Sequence, residues 1–139
     1  MKGPNVLVEY WGNPAATAEA LVDGWFRTGD IGTRDADGYF TIHDRKKNMI
    51  ISGGENIYPA EVERVLLSHP LIAEAAVVGR PDPRWQEVPV GCLVLRPGAT
   101  LGADAIEAFC LAELARYKVP RQYIFLDALP RNVMGKVQH

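Results

Sequence analysis

The sequence predicts an α/β or α+β fold from residue 45 onward, preceded by a β-rich stretch. Two observations carry that expectation. After Asp44, apolar residues alternate between strand and helix periods, and the segments are joined by short connections rich in Gly, Pro and Asp. With 139 residues, 47% of them hydrophobic and 23% charged, the chain has the composition of a folded globular protein rather than a disordered or collagenous one. The longest apolar runs, Ile72 to Gly79 and Val88 to Leu95, fall far short of the roughly 20 residues that span a bilayer, so no membrane span is expected. A formal net charge of -2 supplies no basic field for a phosphate backbone, which argues against nucleic acid as a partner.

The elements follow in order. Val6-Leu7-Val8 and Trp25-Phe26-Arg27 are β-favouring runs set apart by Gly12-Asn13-Pro14 and Asp23-Gly24. A hairpin is expected from Ile31 to His43 around Asp35-Ala36-Asp37-Gly38, where Asp and Gly supply turn chemistry. Asp44-Arg45-Lys46-Lys47-Asn48 is a charge-dense connection, and a domain boundary is placed there, dividing residues 1–44 from 45–139. Met49 to Ser52 is a strand, and a helix starts at Pro59, with Val62, Val65, Leu66 and His69 on one face and Pro70 ending it. Ile72 to Gly79 and Val88 to Leu95 read as central strands joined by Asp82-Pro83-Arg84-Trp85-Gln86. Asp104 and Glu107 form a D-x-x-E start signal for a helix whose stripe is Ile106, Phe109, Cys110 and Leu114. Tyr123 to Leu126 is a last strand, and Pro130 to Lys136, without periodicity, reads as a mobile loop.

Four features could carry chemistry, and each has a plainer reading beside it. Asp30 is either a turn aspartate or a carboxylate accepting two hydrogen bonds from a vicinal diol. Ser52-Gly53-Gly54-Glu55 is either a hairpin turn or an anion cradle. Trp85 is either a binding platform or a lid on the core, and Lys136 either a solvated lysine or a catalytic cation. Cys92 and Cys110 lack metal-ligand spacing and are expected as buried small hydrophobes in a reducing, cytoplasmic setting. No metal ligands are proposed. His43 and His69 are assigned to packing and His139 to an exposed end.

Taken together these segments resemble the C-terminal part of the adenylate-forming superfamily, which includes acyl-CoA synthetases, peptide-synthetase adenylation domains and luciferases. Three stretches carry the resemblance: Asp23-Gly24-Trp25-Phe26-Arg27-Thr28-Gly29-Asp30, the run from Asp44 to Glu63, and Leu129-Pro130-Arg131-Asn132 with Gly135-Lys136. The resemblance implies an α+β small C-terminal domain with a β-hairpin and a short mixed sheet flanked by helices. Residues 1–44 would be the β-rich edge of a larger, truncated domain. The implied reaction has two halves: a carboxylic acid and ATP form an acyl-adenylate and pyrophosphate, and CoA then displaces AMP.

By the same resemblance Lys136 is the lysine brought to the carboxylate and α-phosphate, where an ammonium offsets charge building in the transition state. Asp30 would hold the ribose diol, and Arg45 the ribose and phosphate side of the nucleotide. Lys47 occupies the hinge, where rotation of the small domain exchanges one half-reaction for the other. Gly53 and Gly54, with Glu55 and Asn56, would border the pantetheine channel, and Trp85, Tyr117 and Lys118 would contact CoA. ATP, CoA and Mg2+ are implied, with the Mg2+ site in the large domain. The substrate class is read as a fatty-acid, malonate or aromatic-acid CoA ligase type. An alternative reading delivers the acyl group to a carrier protein, docked on a basic face made by Arg80, Arg84, Arg116, Lys118 and Arg121.

Gln86 departs from the family pattern, standing where a glycine is expected after the tryptophan, and the chain ends at His139, before the usual charged tail. As a truncated piece the chain is expected to be inactive alone. Trp11, Trp25 and Phe26 are expected to lack packing partners, leaving an edge that is exposed, rearranged or covered by another molecule, a second copy of the chain included.

Overall fold

The computed structural model describes residues 1–138 and divides into two compact units, one running Met1–Lys46 and the other beginning at Lys47. His139, assigned to an exposed end, lies outside the described residues.

The first unit holds helix α1 (Pro14–Ala20) and two antiparallel hairpins, β1 (Leu21–Val22) with β2 (Trp25–Phe26) and β3 (Asp30–Arg34) with β4 (Phe40–Arg45). The expected turn at Gly12-Asn13-Pro14 instead starts α1. The Asn13 side chain accepts a hydrogen bond from the N–H of Ala16 at 3.0 Å, and Pro14 takes the first helical position. Val6-Leu7-Val8, expected as a strand, is irregular, with bends at Val6 and Val8. In the β3–β4 turn, Asp35 accepts from the N–H of Tyr39 at 2.8 Å, as its turn chemistry predicts. No residue of this unit is fully buried. Trp11 is 95% exposed and Trp25 56%, whereas Phe26 is half-buried and pairs its backbone with Met1.

The second unit is the α+β body. Strands β5 (Ile50–Ser52), β6 (Glu55–Ile57), β7 (Ile72–Asp82), β8 (Gln86–Leu95) and β9 (Gln122–Phe125) form one mixed sheet. The β7–β8 hairpin is its long axis, and β9 runs parallel to β8, from Val90↔Gln122 to Leu93↔Phe125. Strand β5 meets β8 at a single pair, Ser52↔Gln86, and the carboxylate of Glu87 extends that junction by accepting from the N–H of Ile51 at 3.1 Å.

Helices α2 (Pro59–Ser68) and α3 (Ala103–Glu113) pack on the sheet. Val62, Val65 and Leu66 stand at i, i+3 and i+4 and are buried with Ile50, Ile57, Ile72, Val77, Leu93, Ile106 and Cys110. Removing such side chains from water contributes roughly 1.5–3 kcal/mol each for the larger ones, which makes this unit the part with a core of its own. Asp104 does not cap α3. The helix begins one residue earlier, Gly102 takes the cap position, and Asp104 lies in the first turn, where its charge suits the helix dipole.

Candidate functional site

Asp30 and Arg45 are brought together in the first unit as cross-strand partners at the open end of the β3–β4 hairpin. Arg45 Nε lies 2.8 Å from Asp30 Oδ1, and its Nη1 donates to the carbonyl of Thr28 at 3.1 Å. The N–H of Asp30 is itself bound to Thr28 Oγ1 at 3.1 Å, so the carboxylate is aimed by its own backbone. The pair presents an acceptor beside a permanent cation, with Arg45 59% exposed and Asp30 26%. Lys47 is the first residue of the second unit, exposed in a single 3-10 turn, Lys46–Asn48.

Gly53, Gly54 and Trp85 meet at one end of the second unit. Gly53 and Gly54 have φ of 59° and 87°, both in the left-handed region, so the β5–β6 connection is a two-residue turn that suits glycine. The N–H of Gly53 donates to the carbonyl of Trp85 at 2.8 Å, and a Cβ on Gly53 would come within 2.7 Å of the indole. A Cβ on Gly54 would meet nothing. Glu55 and Asn56 follow on β6, both exposed. Trp85 is aimed by Asp82, whose carboxylate accepts from the N–H groups of Arg84 and Trp85 at 2.9 Å each, and these bonds hold the carboxyl below its ordinary value. The guanidinium of Arg84 lies 4.8 Å from the indole centroid and that of Arg121 5.9 Å, making an aromatic face flanked by two cations.

Gln86, where a glycine is expected, nevertheless has φ of 69°. The backbone keeps the glycine-type conformation and glutamine bears its strain.

Lys118 and Tyr117 lie in the 3-10 turn Arg116–Lys118. Lys118 Nζ donates to both oxygens of Glu61 in α2, at 2.7 and 2.8 Å, with the two side chains only 19% and 32% exposed. That bonding raises the lysine pKa above its ordinary value, against a smaller opposing effect of burial. Lys118 is therefore a brace between the turn and α2, and any phosphate contact would share its ammonium with Glu61.

Lys136 sits in a closed hairpin where a mobile loop is expected. Arg131 and Val137 form a bridge, and the N–H of Gln138 donates to the carbonyl of Pro130 at 2.9 Å. The Asn132 carboxamide oxygen accepts from the N–H groups of Met134 and Lys136, each at 3.0 Å. Arg131 donates to the carbonyl of Gly135 at 2.9 Å and pairs with Glu74 of β7. Side chain to backbone bonding closes this loop, which hydrophobic periodicity does not detect. Glu74 stands eight residues along β7 from Asp82, a separation of about 26 Å along the strand. The lysine hairpin and the Trp85 turn are thus anchored toward opposite ends of one strand.

The sequence alone gave no role to Glu61, Glu74, Asp82 or Glu87, placed Asn132 only within the lysine-loop motif, and read Arg84 and Arg121 as part of a basic face suited to a carrier protein or to CoA phosphates. A D-x-R-W run and an N-x-x-G run signal the turns at Asp82 and Asn132, but the partners across the fold carry no local signal. Among the described residues no three His, Cys, Asp or Glu side chains are grouped to hold a metal ion. Among the described residues no helix is long and apolar enough to cross a membrane.

An α+β unit that holds a paired-glycine turn under a tryptophan and a lysine in a closed hairpin defines the class, and the chain belongs to the AMP-binding enzyme C-terminal domain family, matched over residues 61–136. Its particular relatives are ligases. It is 53% identical over 138 residues to the indoleacetate–CoA ligase of Aromatoleum aromaticum, covering 99% of this chain and 27% of that protein. It is 50% identical over 134 residues to the fatty acid–[acyl-carrier-protein] ligase ScoC of Streptomyces coeruleorubidus, covering 96% of this chain and 26% of that protein. The o-succinylbenzoate CoA synthetase (MenE) of Bacillus subtilis, solved in complex with the acyl-adenylate intermediate OSB-AMP, superposes with a TM-score of 0.93 at 46% identity, over 98% of this chain and 28% of that one. The chain thus spans little more than a quarter of the length of the relatives it matches.

Proposed function

We propose that this chain supplies the mobile C-terminal part of an ATP-dependent acid–CoA ligase acting through an acyl-adenylate. In this reading the first unit, ending at Lys46, is the edge of the larger nucleotide-binding domain, the unit that begins at Lys47 is the small domain, and Lys47 is the hinge. Asp30 accepts the ribose hydroxyls while Arg45 faces the ribose and phosphate side. In the first half-reaction Lys136 stands beside the carboxylate and the α-phosphate. Its ammonium offsets the charge of two anions brought together, so the carboxylate oxygen can attack phosphorus as pyrophosphate leaves. In the second half-reaction the Gly54 turn replaces Lys136 at the adenylate, and the CoA thiol attacks the acyl carbon with AMP departing.

The observation that carries this reading is the anchoring of the lysine hairpin and the Gly53–Trp85 turn toward opposite ends of β7. Two chemistries needed in succession are kept apart on one rigid body, which a hinge rotation can exchange. Gly54, with no side chain and open space around it, lets a thin pantetheine arm pass the backbone, and the indole of Trp85 between Arg84 and Arg121 gives that arm and its phosphates a surface. Glu55, Asn56 and Tyr117 line the approach, and Lys118 braces it. The acid is of the fatty-acid, malonate or aromatic kind, and its pocket is assigned to no residue here. ATP brings its magnesium to the larger domain. The site of action is cytoplasmic.

The test grafts this chain in place of the matching region of the Bacillus subtilis o-succinylbenzoate CoA synthetase. Acyl-CoA formed only with acid, ATP and CoA together supports the reading, while the 139-residue chain alone forms none. A graft that makes the adenylate and passes it to an acyl carrier protein but not to CoA would instead favour the carrier-protein reading, which the 50% identity to a carrier-protein ligase keeps open.

A further inference from the structure

The hairpin that bears Lys136 is organised around Asn132, through its side chain and its backbone, with the Arg131 side chain beside it. Asn132 binds the backbone of Lys136 twice: its N–H donates to the Lys136 carbonyl at 2.9 Å, and its carboxamide oxygen accepts from the Lys136 N–H at 3.0 Å. The same oxygen accepts from Met134, and the Asn132 carbonyl accepts from the N–H of Gly135 at 2.9 Å. Gly135, with φ of 78°, makes the reversal that this closure needs. The neighbouring Arg131 crosses the hairpin to the Gly135 carbonyl and also pairs with Glu74 in β7. The tip, Val133 and Met134, is exposed, so packing of these apolar side chains does not hold the loop. Polar bonds from Asn132 and Arg131 do.

We propose that Asn132 and Arg131, anchored by Glu74, are positioning residues that fix the backbone of Lys136 before any ligand arrives. A lysine side chain has four rotatable bonds and gains catalytic force only when its ammonium meets a defined point, so a fixed origin limits the freedom that must be frozen in the transition state. The bond from Arg131 to Glu74 makes that origin part of β7, so movement of the second unit carries Lys136 as a rigid attachment. This rests on the proposed role of Lys136 in adenylate formation.

Two readouts test it. In the 139-residue chain, backbone amide hydrogen exchange at Met134 and Lys136 is measured for the wild type, Asn132→Ala and Asn132→Asp. Asn132→Ala should accelerate exchange at both amides about tenfold or more while β7 and β8 stay as they were, and Asn132→Asp, which keeps the acceptor oxygen, should restore protection. Unprotected amides in the wild type, or unchanged protection in Asn132→Ala, would overturn the proposal. In the grafted synthetase, Asn132→Ala and Glu74→Gln should lower kcat for acid-dependent ATP–pyrophosphate exchange, the former by about a hundredfold, with little change in the KM for the acid, and Asn132→Asp should recover most of it. If Lys136→Ala reduces exchange but Asn132→Ala does not, the positioning role fails and the lysine role stands. If Lys136→Ala has no effect, the functional reading itself fails.

Discussion

The indole of Trp85 occupies the space that a side chain on Gly53 would need, and the two residues are joined by a 2.8 Å hydrogen bond from the Gly53 N–H to the Trp85 carbonyl. The two turns at this end of the sheet therefore form one unit. Gly53→Ala combines a left-handed backbone with a 2.7 Å clash and should destabilise the chain by about 2 kcal/mol or more. Gly54→Ala, with open space and only the backbone penalty, should cost about 1 kcal/mol. Urea unfolding measures both. In a background carrying Trp11→Phe and Trp25→Phe, the fluorescence of Trp85 should shift toward that of exposed indole in the first variant only.

Gln86 carries strain that a glycine would not. Relief of a left-handed backbone is worth roughly 1–2 kcal/mol, and the glycine's freer unfolded chain returns up to about 1 of it. Gln86→Gly should accordingly raise stability by about 0.5–1 kcal/mol, read as a higher urea midpoint at unchanged slope. A loss of stability would mean that the glutamine side chain contributes binding that offsets its backbone.

Stability should decline in alkali. Burial pushes the thiols of Cys110 and Cys92 above their ordinary value of 9.0, and it raises the phenol of Tyr123 well beyond its usual range. Bonding to Glu61 raises Lys118. In each case the folded chain keeps a proton that the unfolded chain releases, so the stabilisation is complete below the unfolded value and is lost as pH rises toward the folded one. Urea midpoints should be flat from pH 7 to about 8 and fall from about pH 9 upward. Lys118→Met should flatten the part of that fall that lies above the ordinary lysine range. Both cysteines should react slowly with iodoacetamide at neutral pH, by mass spectrometry of the native chain.

The body of the second unit was legible because its signals are local. Pro59 and the spacing of Val62, Val65 and Leu66 mark α2, and two apolar β-rich runs mark β7 and β8. Where side chains bond to backbone, hydrophobic pattern is silent. Asn13-Pro14 reads equally as a turn and as a helix start, and the bond from Ala16 to the Asn13 side chain selects the second. Val6-Leu7-Val8 has strand propensity but no strand beside it, and a lone run has no ladder to join. At the site, residue types singled out Asp30, the Gly53-Gly54 turn, Trp85 and Lys136, and the family resemblance added Arg45 and Lys118, while the ion pairs that brace the site join residues as distant in sequence as Glu61 with Lys118 and Glu74 with Arg131.

In the proposed function one small domain serves two half-reactions with different residues. The most direct measurement compares both half-reactions in the grafted synthetase for Lys136→Ala and Gly54→Leu. Lys136→Ala should cut acid-dependent ATP–pyrophosphate exchange by about a hundredfold or more while thioester formation from supplied acyl-adenylate and CoA stays within about threefold, and Gly54→Leu should reverse that pattern. Equal loss of both half-reactions in either variant would contradict this division of roles between Lys136 and Gly54.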